Sequence, residues 1–207
     1  MDMAKVSLGR IMTAALTVAL LSATACTTQT RGAEPPVIAP GRPGDGNRTL
    51  SPEEAARRRP DNTPNAADRT YVGHMIEHHR QALAMSALAP DRATSPAVKH
   101  LAERITAAQT PEIAAMQSWQ RKTQSTPAHD HTPMPGMATE AQLKALADAR
   151  GTDFDHLFLT LMTAHHEGAL KMAADVLKNG NDPAVEEWAN EVVATQSAEI
   201  SRMRTMS

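Results

Sequence analysis

The sequence predicts an all-α protein, a four-helix bundle built from two duplicated helical hairpins. Three observations predict it. Composition comes first: the apolar residues are mostly Ala, Leu, Met and Val, and Trp119, Trp188, Tyr71, Phe154 and Phe158 are the only aromatics in 207 residues. Such a chain cannot fill a large aromatic core and favours helices packed through small side chains. The second observation is a repeat. Sliding the chain by 87 residues lays 68–119 over 155–206 without a gap, Asp68 on Asp155, His78-His79 on His165-His166, Gln109 on Gln196 and Glu112-Ile113 on Glu199-Ile200. The third is punctuation, because proline and cap residues break each unit at the same place.

Taken in order, residues 1–25 read as a signal peptide. Lys5 and Arg10 flank an apolar stretch too short to span a membrane comfortably. Cys26, the sole cysteine, follows "ATA" and resembles a lipobox cysteine, the site of lipidation; ordinary cleavage at the A-x-A pattern is the alternative. The expected location is therefore the outer face of the cell membrane, held by lipid, with secreted or periplasmic release as the other reading. Residues 26–64 are rich in Pro and Gly and are expected to form a disordered tether.

The domain is expected over 65–207. Unit one, 68–119, should begin at Asp68 as N-cap, stop its first helix at Pro90, and restart with Ser95 capping Pro96. Unit two, 155–206, should end its first helix at Asn179-Gly180 and restart at Asp182-Pro183. Pro111 should kink the second helix and displace Glu112. The linker, 120–150, carries "HDHTPMPGM", expected to be a flexible tract.

Helical spacing puts Tyr71, Met75, His78, Ala82 and Met85 on one stripe, with the twin stripe Phe158, Met162, His165, Ala169 and Met172. The partner helices carry Gln109 and Glu112, and Gln196 and Glu199, on faces that should be apolar. Counting outward from the turn sets His78 opposite Gln109 and Glu112. Buried polar groups need partners, and imidazole, thioether and carboxylate converging inside a bundle can hold a metal. The candidate ligands are Met75, His78, His79, Met85 and Glu112 in unit one, and Met162, His165, His166, Met172 and Glu199 in unit two. His129, His131, Met134 and Met137 add a second set in the linker. Thioether and imidazole together favour copper, with zinc and iron as alternatives. His74 is an outer candidate; His100 and His156 read as surface residues.

At these residues the chain resembles the domain of unknown function 305 family, whose helices carry M-x-x-H-H-x-x-A-x-x-M, here Met75–Met85 and Met162–Met172. "MPGM" at 134–137 and "FDHLFL" at 154–159 resemble the family's middle segment. The resemblance implies an exported ferritin-like bundle associated with copper binding or tolerance. The expected function is an anchored copper buffer or chaperone and not an enzyme. Its expected partners are the metal ion, the membrane and a copper-handling protein. A net charge of −2 offers no footprint for nucleic acid. Two other readings compete: a metal-free structural or partner-binding lipoprotein, and a ferritin-like oxidase. The oxidase needs Glu-x-x-His spacing, which neither hairpin has.

Overall fold

The structure, a computed structural model, describes residues 35–125 and 134–206. The signal peptide, Cys26, His129 and His131 lie outside the described residues. The chain divides into two compact units, 1–59 and 60–207.

In the first unit, the segment expected to be a disordered tether instead carries regular structure. Strand β1 (Val37–Ala39) pairs antiparallel with β2 (Arg48–Leu50). Pro43 and Gly44 turn the chain between them, where the Asp45 amide bonds the Arg42 carbonyl at 2.8 Å and Gly44 sits at φ +97°. Proline followed by a left-handed glycine is the pairing a type II turn demands. Helix α1 (Pro52–Arg57) follows, started by a capping box in which Ser51 and Glu54 bond each other's backbone. Pro and Gly here serve as turn and cap residues, which composition alone could not distinguish from linker residues.

The second unit is all-α. Its long helices are α2 (Ala66–Ser86), α4 (Pro96–Lys122), α6 (Gly151–Asn179) and α7 (Pro183–Met206). Two short helices join them: α3 (Ala89–Arg92) between α2 and α4, and α5 (Glu140–Asp148) in the linker. Helix α2 packs on α4 and on α6, and α6 packs on α7. Ser95 and Asp182 cap α4 and α7 as the sequence indicates. The start of α2 differs. Asn65, not Asp68, is its N-cap, and Asp68 closes the capping box from three residues inside. Pro90 does not simply stop a helix either, because it opens α3, where its missing N–H costs nothing. Gly180 ends α6 without a left-handed turn; a side chain there would stand 2.6 Å from Asp68 Oδ1.

Asp68 and Asp155 bind the two hairpins reciprocally. Buried Asp68 accepts the amides of Asn181 and Asp182, in the turn of unit two, at 3.1 and 3.2 Å. Asp155, its twin, accepts the Ser95 amide in the turn of unit one at 2.9 Å. Each unit's first helix thus holds the cap of the other unit's second.

Two apolar clusters form the interior. One holds Met85, Leu101, Ile105, Phe154, Phe158, Met162, Ile200 and Met203; the other holds Tyr71, Met75, Ile76, Met116, Trp119, Ala169, Val176 and Val192. Each long helix passes from one cluster to the other near its middle. α2 and α6 do so in opposite directions, as antiparallel neighbours must. Asn65 at the start of α2 bonds the Asn179 carbonyl at the end of α6. Between the clusters lie His78 and His79, Gln109 and Glu112, His165 and His166, Gln196 and Glu199. A polar layer crosses all four helices.

Candidate metal centre

His78 and His165 meet at the middle of the α2–α6 contact. Both are buried, with ring centroids 3.6 Å apart and planes tilted by 33°. Their neighbours His79 and His166 are buried as well. One residue turns a helix by about 100°, so His78 faces α6 while His79 faces α4. His79 Nε2 donates to Glu112 Oε2 at 2.7 Å, and His166 Nε2 donates to Glu199 Oε2 at the same distance. This corrects the expected pairing, in which His78 faced Glu112. A single stripe assumed one partner helix, but α2 has two. The feared displacement by Pro111 is also absent, since α4 runs through it unbroken and both His–Glu bonds are equally short.

The bonds fix tautomers. A nitrogen that donates carries the proton, so the other nitrogen presents a lone pair. His79 and His166 commit Nε2 to carboxylates, and His78 commits Nε2 to the Pro135 carbonyl at 3.1 Å. Nδ1 of all three rings is buried and unpartnered, as are both nitrogens of His165. Gln109 and Gln196 each leave a buried Oε1 unpartnered in the same layer. A buried polar atom without a partner costs about 1–3 kcal/mol. Carboxylates that orient imidazoles and raise their basicity are the usual surroundings of metal-binding histidines.

Burial pushes the His78 imidazole down to about 3, against the opposing bond to Pro135, with His79 and His166 adding to the depression. Burial, then the facing His78, brings His165 down to about 2. Both rings are therefore neutral at any physiological pH, the form that binds a metal. Desolvation, helped by Glu112, also raises the Tyr71 phenol, which holds it protonated.

The methionines divide. Met75, Met85 and Met162 are fully buried; Met75 lies with Tyr71 and Met116 beside the His79–Glu112 pair. Met172 is only partly buried and borders an open groove. Among the described residues no three His, Cys, Asp or Glu side chains stand as a ready chelate. The unpartnered imidazole nitrogens suit a borderline or soft ion better than a hard cation that needs six oxygens.

The linker's Met134 and Met137 belong to packed structure, not to a flexible tract. Residues 134–138 form a strap across α2 and α6. Gln81 grips it from α2, donating to the Ala138 carbonyl at 2.9 Å and accepting its amide at 2.7 Å. On α6, Gly168 lets it approach: a Cβ there would lie 1.9 Å from the Pro135 carbonyl oxygen. Gly136, at φ +80°, turns the strap. The strap therefore delivers Pro135 to His78, a partner 57 residues away that no local pattern announces. A helical glycine at the position equivalent to Gln81 was the available signal. His100 and His156 are exposed, as expected.

The family profile described as domain of unknown function (DUF305) matches residues 68–207. No curated protein matches the chain. A DUF305 fragment from Deinococcus radiodurans is 31% identical with a TM-score of 0.64, covering 69% of this chain and 95% of that one. A DUF305 protein from Streptomyces coelicolor, assigned as secreted, is 30% identical with a TM-score of 0.63, covering 66% and 89%. CopM in its Cu(I)-bound form is 30% identical with a TM-score of 0.58, covering 67% and 93%; CopM is also solved in Cu(II)- and Ag-bound forms. The matched region takes in both hairpins and the strap between them, and on that match this chain belongs to the DUF305 family.

Proposed function

We propose that the protein is an exported copper-binding protein, anchored to the membrane through Cys26, that buffers or hands on copper as cargo and catalyses no reaction. The observation that carries this reading is the neutral His78–His165 pair, with three unpartnered nitrogens inside the bundle. Solved relatives support the choice of metal, since CopM takes Cu(I), Cu(II) and Ag at 30% identity. Export is supported by the signal-like N-terminus and by the secreted assignment of the Streptomyces relative. No helix among the described residues is long and apolar enough to cross a membrane.

In this reading His78 and His165 hold the ion, Glu112 and Glu199 orient the flanking His79 and His166, and the buried thioethers favour the reduced state. The oxidase reading is weaker, because a di-iron centre draws on four to six ligands rich in carboxylate, and here the layer has two glutamates already bonded to histidine. The test is metal analysis of untagged protein purified from copper-supplemented cells. Stoichiometric copper is expected; iron would favour the oxidase, and metal-free protein the structural lipoprotein.

A further inference from the structure

His74 has no histidine counterpart in unit two and, unlike His100 and His156, is not fully exposed. The residue equivalent to His74 is Leu161, a core residue, so the repeat predicts an apolar side chain where unit one has imidazole. His74 is partly exposed, yet its Nε2 is covered and has no hydrogen-bond partner. The ring borders a groove of about 430 Å³ between α2 and α6. Met172, the partly exposed methionine of the two motifs, borders the same groove, together with Tyr71, Pro135, Lys171 and Asp175.

We infer that this groove is a second, outer site for a monovalent soft cation, Cu(I), held between His74 Nε2 and the Met172 thioether. Imidazole plus thioether is a donor pair that a soft ion accepts at low coordination number. The one carboxylate present, Asp175, is offset by Lys171, so the groove lacks the oxygen donors that Ca²⁺ or Mg²⁺ would need. Its place in the fold suits a first stop. His74 lies one helical turn before His78 on α2, and Pro135 both borders the groove and caps the His78 ring. The groove is open to solvent, whereas the His78–His165 pair is buried.

The inference rests on the copper reading, and one set of titrations separates them. Ag(I), as a redox-inert stand-in for Cu(I), is titrated into the full chain as wild type, His74→Leu, Met172→Leu and His78→Gln/His165→Gln. His74→Leu installs the residue its twin already has, and Met172→Leu keeps the volume, so both should fold. Each is expected to lose the same single equivalent of silver, while the double variant keeps that equivalent and loses the buried one. In the wild type the Met172 methyl resonance should shift with the first equivalents added. Undiminished capacity in His74→Leu together with an unmoved Met172 methyl would overturn the groove site while leaving the buried site intact. A wild type that binds no silver would overturn both.

Discussion

The two hairpins share a layout but not a surface. Unit one and unit two carry identical His–His pairs, identical Gln residues in the same layer, and Glu partners 33 residues away, with His–Glu bonds of 2.7 Å in each. They part wherever the linker strap touches them. Gln81, which grips the strap, stands opposite Gly168, which yields to it. His78 has the Pro135 carbonyl, whereas both nitrogens of His165 are unpartnered. Tyr71 and His74 replace Phe158 and Leu161 on the side that borders the groove. Duplication thus preserves the polar layer, while the strap meets the two units through different residues.

The largest expected effect breaks this comparison with acid. His78 and His165 have folded pKa values depressed below 6.5, so the unfolded chain binds more protons than the folded one. Their neutral burial leaves stability intact above pH 6.5 and erodes it as pH falls from 6.5 toward about 3. Each histidine contributes up to about 1.4 kcal/mol per pH unit, on the order of several kcal/mol together by pH 4. Urea unfolding of the metal-free protein across this range measures the slope. Substituting either histidine with Gln should flatten the acid limb, because both carry depressed folded pKa values. Equal, unaltered limbs in both variants would mean the pair does not govern acid stability.

A middle-sized effect tests the strap. Gly168→Ala drives a methyl into the Pro135 carbonyl, a backbone group that cannot swing aside. Displacing the strap should cost about 2–3 kcal/mol of stability, in the range of overpacked cores. Gln81→Ala, which removes two hydrogen bonds from the other side, should cost about 1–2 kcal/mol. Denaturant midpoints would decide; a Gly168→Ala midpoint equal to wild type would show that the strap is not seated as described.

The smallest effect makes unit one more like unit two. Tyr71 has a buried hydroxyl with no partner, so Tyr71→Phe should leave metal-free stability unchanged or raise it by up to about 1 kcal/mol. A clear loss in the thermal midpoint would reveal a hydrogen bond that unit two does without.

The repeat, the helix pairing and the caps at Ser95 and Asp182 were legible because they depend on near neighbours in sequence. The burial of His78 and His165 was legible too, through helical spacing. What spacing could not show was that α2 has neighbours on two sides, and so Glu112 was assigned to His78 when it bonds His79. Asp68 reads as the N-cap because sequence alone does not show which member of the Asn65–Asp68 capping box stands outside the helix. Helix α5 starts at a Thr139–Gln142 box inside a segment whose Pro, Gly and His content reads as linker. The strap was beyond reach for a different reason. Its contacts join residues 57 apart, and a glycine inside a helix reads first as a weak point, not as room for another segment.

The central claim is that His78 and His165 form an ion-binding pair kept neutral by burial, and copper-dependent melting tests it most directly. A ligand that binds only the folded state adds about 2.7 kcal/mol at a hundredfold excess over its Kd. Under reducing conditions Cu(I) should therefore raise the melting temperature of the wild type. Because both rings stay neutral in the folded state, the gain should persist at pH 5, where a solvent-exposed histidine site would already be protonated. His78→Gln/His165→Gln should abolish most of it while leaving the His79–Glu112 and His166–Glu199 bonds in place. A wild type indifferent to copper, or a double variant that responds as strongly as the wild type, would contradict the account.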